Sequence, residues 1–199
     1  MIRTLKTPRV NIRPTEPRDA RFRQTLLSQP GEILLFGADP YPSEKHAQQH
    51  IAGFINMNKT GFSYHWTIER KESGKAIGFC DVFLPAPHLL PLKTCGLSYG
   101  LVHTERRQGL MRETLNACLD FILNTEGFFR VEATVLLENK ASLALLESLG
   151  FQQEGIQRKK WSCAGTRHDV ISLALLKEEF QLPSDKTREG VVDHTPQTQ

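Results

Sequence analysis

Apolar residues recur along this chain with two periods, and where one period gives way to the other an element ends. Val10-Asn11-Ile12-Arg13-Pro14 alternates and predicts a short first strand. Glu16 to Ser28 carries a helical pattern that Pro30-Gly31 closes. Ser43 can cap a second helix running to about Asn58, with Lys59-Thr60-Gly61 as its exit. Phe62 to Arg70 is dense in aromatic and β-branched residues. Glu72-Ser73-Gly74-Lys75 supplies a turn, and Ala76 to Leu84 returns as the partner strand. Pro85, Pro87 and Pro91 make 85–94 a loop, because proline cannot donate to a central ladder.

A strand over Gly96–Val102 follows, then a helix from about Arg107 to Asn124. Leu110, Thr114, Leu115, Cys118, Phe121 and Ile122 give that helix one apolar face. Phe128–Leu137 reads as a strand and 140–149 as a short helix. Strands near 151–161 and 168–176 flank a turn at Ser162-Cys163-Ala164-Gly165. From Pro183 the chain is polar without periodicity and reads as a disordered tail. The expectation is one domain over residues 1–180 with a tail at 181–199. The order ββ, βαβα, ββ predicts an α/β (α+β) domain, with a mixed sheet of about seven strands and about four helices.

At 199 residues the chain is long enough to bury roughly 70% of its unfolded surface without disulfides or metal. A net charge of +3 suits anionic ligands but is too mild and scattered for a nucleic-acid footprint. Cys80, Cys95 and Cys118 lie in apolar runs and read as small buried hydrophobes. Cys163, beside Gly165, reads as an exposed turn residue. The first residues have no apolar signal region and no stretch could span a membrane, which fits a reducing cytoplasm.

Candidate chemistry concentrates at Arg106-Arg107-Gln108-Gly109-Leu110-Met111, between the 96–102 strand and the next helix. A turn that opens a helix presents unpaired N–H groups and the positive end of the macrodipole. Gly109 lets backbone approach a phosphate closely, and Arg106 and Arg107 add charge-assisted contacts. Downstream, Val135-Leu136-Leu137-Glu138-Asn139-Lys140-Ala141-Ser142 gives a β-rich run and an Asn helix cap, and Gly150-Phe151 stops the helix. The two motifs, in this order, resemble the GNAT acetyltransferases. Arg106-x-x-Gly109-x-Met111 stands for the family's Arg/Gln-x-x-Gly-x-Gly/Ala, lacking its second small residue. Asn139, Ser142, Phe151, Glu154, Gly155, His168-Asp169-Val170 and the opening Thr7-Pro8-Arg9-Val10-Asn11-Ile12-Arg13 resemble the subgroup that acetylates ribosomal-protein N-termini (the RimJ/RimL type).

The resemblance implies a GNAT fold and acetyl-CoA as co-substrate, with no metal. It places the pyrophosphate on the backbone around Arg107, Gln108, Gly109, Leu110 and Met111, supported by Arg106. It places the thioester against the backbone of Leu101, Val102 and His103, where that strand splays from its neighbour. Asn139 serves both as helix cap and as a contact to the coenzyme arm, and Ser142 as the general acid for the departing thiolate. The serine-specific members' glutamate is absent, and Trp161 stands at that place. Asp81 in its apolar strand and Glu138 beside the cap are the remaining candidate bases.

Without a marked base, the acceptor's own acidity matters. An α-amine has pKa about 7.7–8.0 and lysine about 10.4, so near pH 7.5 lysine lacks nearly 3 units, or about 4 kcal/mol. The expected acceptor is therefore a protein N-terminal α-amine, plausibly ribosomal, attacking directly in a ternary complex. The alternatives are a small amine (antibiotic, polyamine or amino acid) or an acyl-CoA-binding, ribosome-assembly protein without turnover. The protein is expected to act as monomer or homodimer, without membrane or direct nucleic-acid contact. His46 and His50 share a helix face but have no third ligand in view. Tyr64, Trp66, Phe79 and Phe83 read as hairpin core, or in part as walls of an acceptor cleft.

Overall fold

The computed structural model describes residues 2–29, 41–61, 63–84, 92–163 and 165–182. The expected helix stop at Pro30-Gly31, most of the 85–94 loop and the tail from Pro183 lie outside the described residues. Twelve of the elements form the frame. They are β1 (Leu5–Lys6), β2 (Val10–Pro14), α1 (Asp19–Leu27), α2 (Glu44–Thr60), β3 (Ser63–Arg70) and β4 (Ala76–Phe83). They continue with β5 (Thr94–Leu101), α3 (Leu110–Asp120), β6 (Arg130–Leu136), α4 (Lys140–Glu147), β7 (Gln152–Cys163) and β8 (Thr166–Leu176). The strands make one mixed sheet in the order β1-β2-β3-β4-β5-β6-β8-β7. Its eighth strand, beyond the expected set, is the two-residue β1 paired with β2.

Alternation on β3 divides the core. Tyr64, Trp66 and Ile68 face α3, whose Leu115, Cys118 and Leu119 are buried with them. The α3 chain ends in a π-helical turn, Phe121–Thr125, whose Phe121 meets the Trp66 ring edge-on at 5.8 Å between centroids. His65 and Thr67 face the opposite layer, formed by α1 and α2. There Asp19 of α1 accepts from Thr67 Oγ1 at 2.9 Å, and Phe54 of α2 stacks on His65. Among the described residues no helix is long and apolar enough to cross a membrane.

Caps explain most boundaries. Ser43 Oγ accepts from the His46 amide, and Gly61 ends α2 at φ +71°, the left-handed conformation glycine adopts without strain. α1 starts at Asp19 rather than Glu16, because the Asp19 carboxylate accepts the Glu16 amide at 2.8 Å and holds 16–18 as a turn. α3 starts at Leu110 rather than Arg107, because Arg107 (φ +60°) and Gly109 (φ +75°) are both left-handed. One expectation is corrected: Cys163 is buried like the other three cysteines, since it closes β7 instead of lying in the turn.

Candidate active site

Apart from the two-residue edge strand β1, the sheet is paired over its shortest length at its centre. β5 and β6 pair in parallel through Thr94–Arg130, Cys95–Val131 and Gly96–Glu132. Beyond Gly96 and Glu132 the two strands run on to Leu101 and Leu136 and diverge. A cavity of about 400 Å³ opens in the gap, walled by Tyr99, Leu101, Val135, Asn139, Ser142 and Trp161 among others. Arg106 and Met111 stand at the end where α3 begins.

Backbone polarity in the gap follows from one hydrogen bond. The Val102 amide donates to Ile77 O at 2.8 Å, continuing the antiparallel ladder with β4. Alternation then turns the amides of Gly96, Ser98 and Gly100 toward β4 and those of Leu97, Tyr99 and Leu101 toward the split. Of the three expected thioester-facing donors, Leu101 has its amide turned toward the split. Val102 is not, because its N–H is bonded into the sheet. His103 is exposed and opens a single 3-10 turn, His103–Glu105, with its carbonyl accepting from the Arg106 amide.

The Arg106–Met111 segment has the form an anion needs. No side chain caps α3, so its first-turn amides remain available. Arg106 Nε donates to Leu101 O at 3.0 Å, and Gln108 Nε2 donates to Thr104 O at 3.1 Å. The opening Thr7-Pro8-Arg9 anchors this turn from outside. Arg9 donates to Gln108 O at 2.7 Å and pairs with Glu113 at 2.7 Å, which also accepts from the Arg9 amide and Thr7 Oγ1. Burial pushes the Glu113 carboxyl up, but Thr7 and Arg9 hold it below the usual range.

The second motif also meets the cavity. Asn139 Oδ1 accepts the Ser142 amide at 3.2 Å, capping α4. Ser142 Oγ lies 2.7 Å from the Tyr99 hydroxyl. Tyr99 carried no motif signal, because a tyrosine in an apolar strand reads as core. Burial pushes its phenol up to about 12, against the smaller pull of Ser142, so it stays protonated.

The two candidate carboxylates have different surroundings. Asp81 is gripped by Arg23 of α1 at 2.7 and 3.1 Å, and His65 Nδ1 lies 3.2 Å away. Burial alone would raise its pKa, but Arg23 and then His65 outweigh it and hold the carboxyl at about 2. A carboxylate that acidic does not take a proton from an ammonium group. Glu138 is exposed and does not line the cavity. His46 and His50 each have Nδ1 beside a hydroxyl, Ser43 at 2.8 Å and Tyr41 at 2.5 Å. Among the described residues no cluster of three or more His, Cys, Asp or Glu is arranged to hold a metal. Tyr64, Trp66 and Phe79 are core, whereas Phe83 is 41% exposed and walls the cavity.

Comparison with known proteins gives the same picture. The family model described as an acetyltransferase (GNAT) domain matches residues 9–152, more than half of the chain. An N-acetyltransferase of Bacillus licheniformis, p20, is 27% identical over 179 residues, covering 89% of this chain and 98% of that protein. The [ribosomal protein uS5]-alanine N-acetyltransferase of Escherichia coli is 27% identical over 184 residues, covering 88% and 92%. The crystal structure of a Vibrio cholerae spermidine N-acetyltransferase with CoA and spermine superposes with a TM-score of 0.75 at 18% identity, covering 85% of this chain and 96% of that one. A sheet split at its centre, an uncapped helix start beside the split and a family match across both motifs lead to one conclusion: the chain belongs to the GNAT N-acetyltransferases, enzymes whose acetyl donor is acetyl-CoA.

Proposed function

We propose that this enzyme acetylates the α-amine of a protein N-terminus, by direct attack on acetyl-CoA while both substrates are bound. The observation that carries the acceptor reading is the charge of the walls. Among the described residues lining the central cavity and the one adjoining it, Asp81 is the sole carboxylate, and Arg23 neutralises it. A polyamine brings several cations and needs free anions around it. An N-terminal amine brings one charge and loses it near neutral pH. The E. coli relative is a [ribosomal protein uS5]-alanine N-acetyltransferase, which supports a ribosomal-protein acceptor for this chain.

The pyrophosphate of acetyl-CoA fits the first-turn amides of Leu110 and Met111, with Arg106 and Arg107 in support. The amides of Tyr99 and Leu101 are the donors turned toward the split, where a carbonyl oxygen gaining charge would need them. Ser142, backed by the Tyr99 hydroxyl, is positioned to protonate the departing thiolate. No cysteine lines either cavity among the described residues, which favours direct transfer over an acetyl-enzyme.

The test is a matched pair of peptides beginning with Ala or Ser, one with a free α-amine and one blocked, both with lysines intact. The free peptide should release CoA thiol at least tenfold faster. Equal rates, or turnover with small amines alone, would transfer the assignment to a small-molecule acceptor.

A further inference from the structure

On the α1–α2 face, a second cavity of about 270 Å³ adjoins the first and shares Phe83 and Ser98 with it. Across it runs a row of three residues in register. His65 on β3 stands opposite Asp81 on β4, and Asp81 stands opposite Ser98 on β5. Directly opposed residues point to one face of the sheet. With strands about 4.8 Å apart, His65 and Ser98 are roughly 10 Å apart at the backbone. Asp81 stands between them, and the three residues line one wall of the cavity.

His65 is only 2% exposed, yet it lines this cavity. Its ring stacks on Phe54 with centroids 3.7 Å apart and planes 9° apart. Nδ1 is within ion-pair range of Asp81 Oδ1, though off the line a hydrogen bond needs, and Nε2 has no hydrogen-bond partner among the described residues. Leaving a buried polar nitrogen unmatched costs about 1–3 kcal/mol, a penalty usually found where the group is used. The carboxylate beside Nδ1 favours the tautomer protonated there, which leaves the Nε2 lone pair free on a ring that forms part of the cavity wall. The other charged or titratable groups around the ring are Arg23 from α1, which offsets Asp81, and His50 with Tyr41 across the Phe54 ring.

We propose that His65 is the proton acceptor for the incoming amine and that the second cavity is where the amine waits; this rests on the acetyltransferase reading above. His65 Nε2 takes one proton from the ammonium group, directly or through one water. The freed lone pair attacks the thioester carbonyl carbon, the C–N bond forms and the C–S bond breaks. The thiolate takes a proton from the Ser142–Tyr99 hydroxyl pair, which the second proton of the nitrogen replaces. The imidazolium returns its proton to solvent.

The experiment compares wild type and His65→Gln on one peptide α-amine from pH 6.5 to 9.5, with CoA affinity and thermal melting as controls on folding. A proton acceptor matters while the amine is charged. The variant's kcat/KM should fall about tenfold at pH 7, where only about a tenth of an α-amine is uncharged, and come within about twofold of wild type by pH 9.5. A deficit independent of pH would make His65 a packing residue and overturn the proposal. Should the variant not fold, diethyl pyrocarbonate on the wild type replaces it. Acylation mapped to His65 should track inactivation and be blocked by the peptide; activity that survives, or is lost without label on His65, overturns the proposal. Wild type inactive on every amine would instead refute the acetyltransferase reading, so the two failures are distinct.

Discussion

A single hydroxyl contact gives the site its sharpest residue-level prediction. Ser142 and Tyr99 share a hydrogen bond at 2.7 Å inside the cavity, and burial keeps the phenol protonated. Ser142→Ala should lower kcat by ~10²-fold with CoA affinity nearly unchanged. If rapid-quench and equilibrium titration show a wild-type rate, the serine is only a first-turn helix residue. Gly109 makes a different point. It sits at φ +75°, and a Cβ there would lie 3.4 Å from the Arg9 guanidinium. Gly109→Asp adds strain and a negative charge where an anion is expected. Calorimetry should find CoA binding lost in a protein that still melts cooperatively. The Gly109 and Ser142 positions were legible in the sequence because their spacing to a helix start is local. Tyr99 and His65 were not, since each gains its meaning from a partner on another element.

At the scale of elements, the start of α3 is built by two separated segments. Arg9 and Thr7, from the β1–β2 turn, fix Glu113 and the Gln108 carbonyl. Glu113→Ala should therefore raise the KM for acetyl-CoA several-fold while leaving the acceptor's KM alone, by loosening the turn without touching its amides. A steady-state matrix over both substrates checks the split. The opposite signature belongs to Gly96, the last paired residue before the strands diverge. A Cβ there would come within 2.5 Å of the Phe83 ring, the wall both cavities share. Gly96→Ala should displace that flexible, half-exposed ring and alter the acceptor's KM more than the coenzyme's. The element order was readable from the change of hydrophobic period. The split of β5 from β6 was not, since no residue pattern marks where a parallel ladder stops.

Across the whole molecule, the Arg23–Asp81 pair ties the α1 layer to the sheet. Removing one partner strands a buried charge, so Arg23→Ala should lose about 3–5 kcal/mol of stability by denaturant titration. The same pair sets an acid limit. Asp81 has a folded pKa of about 2 against a usual 3.8, so the folded state favours its ionised form. That stability, about 2 kcal/mol, is fully present above pH 4 and is lost as pH falls toward 2. Asp81→Asn should flatten the pH dependence of the melting temperature across that window, at the price of a lower melting temperature overall.

What the sequence by itself determined was everything carried by neighbours along the chain. The strand and helix order, the caps at Ser43 and Asn139, the anion-ready turn at Arg106–Met111 and the pairing of two motifs that mark an acetyltransferase all depend on spacings of a few residues. What only the tertiary structure decided was the surroundings of each ionisable group. Asp81 and Glu138 looked alike as isolated carboxylates, but a carboxylate's basicity depends on which charges pack against it. Arg23, 58 positions away in the chain, holds Asp81 ionised, and exposure keeps Glu138 out of the cavity. Of the expected amides of Leu101, Val102 and His103, only that of Leu101 is turned toward the split, and Tyr99, which was not expected, joins it. The reason is that ladder register, set between strands, decides which side of β5 each N–H faces.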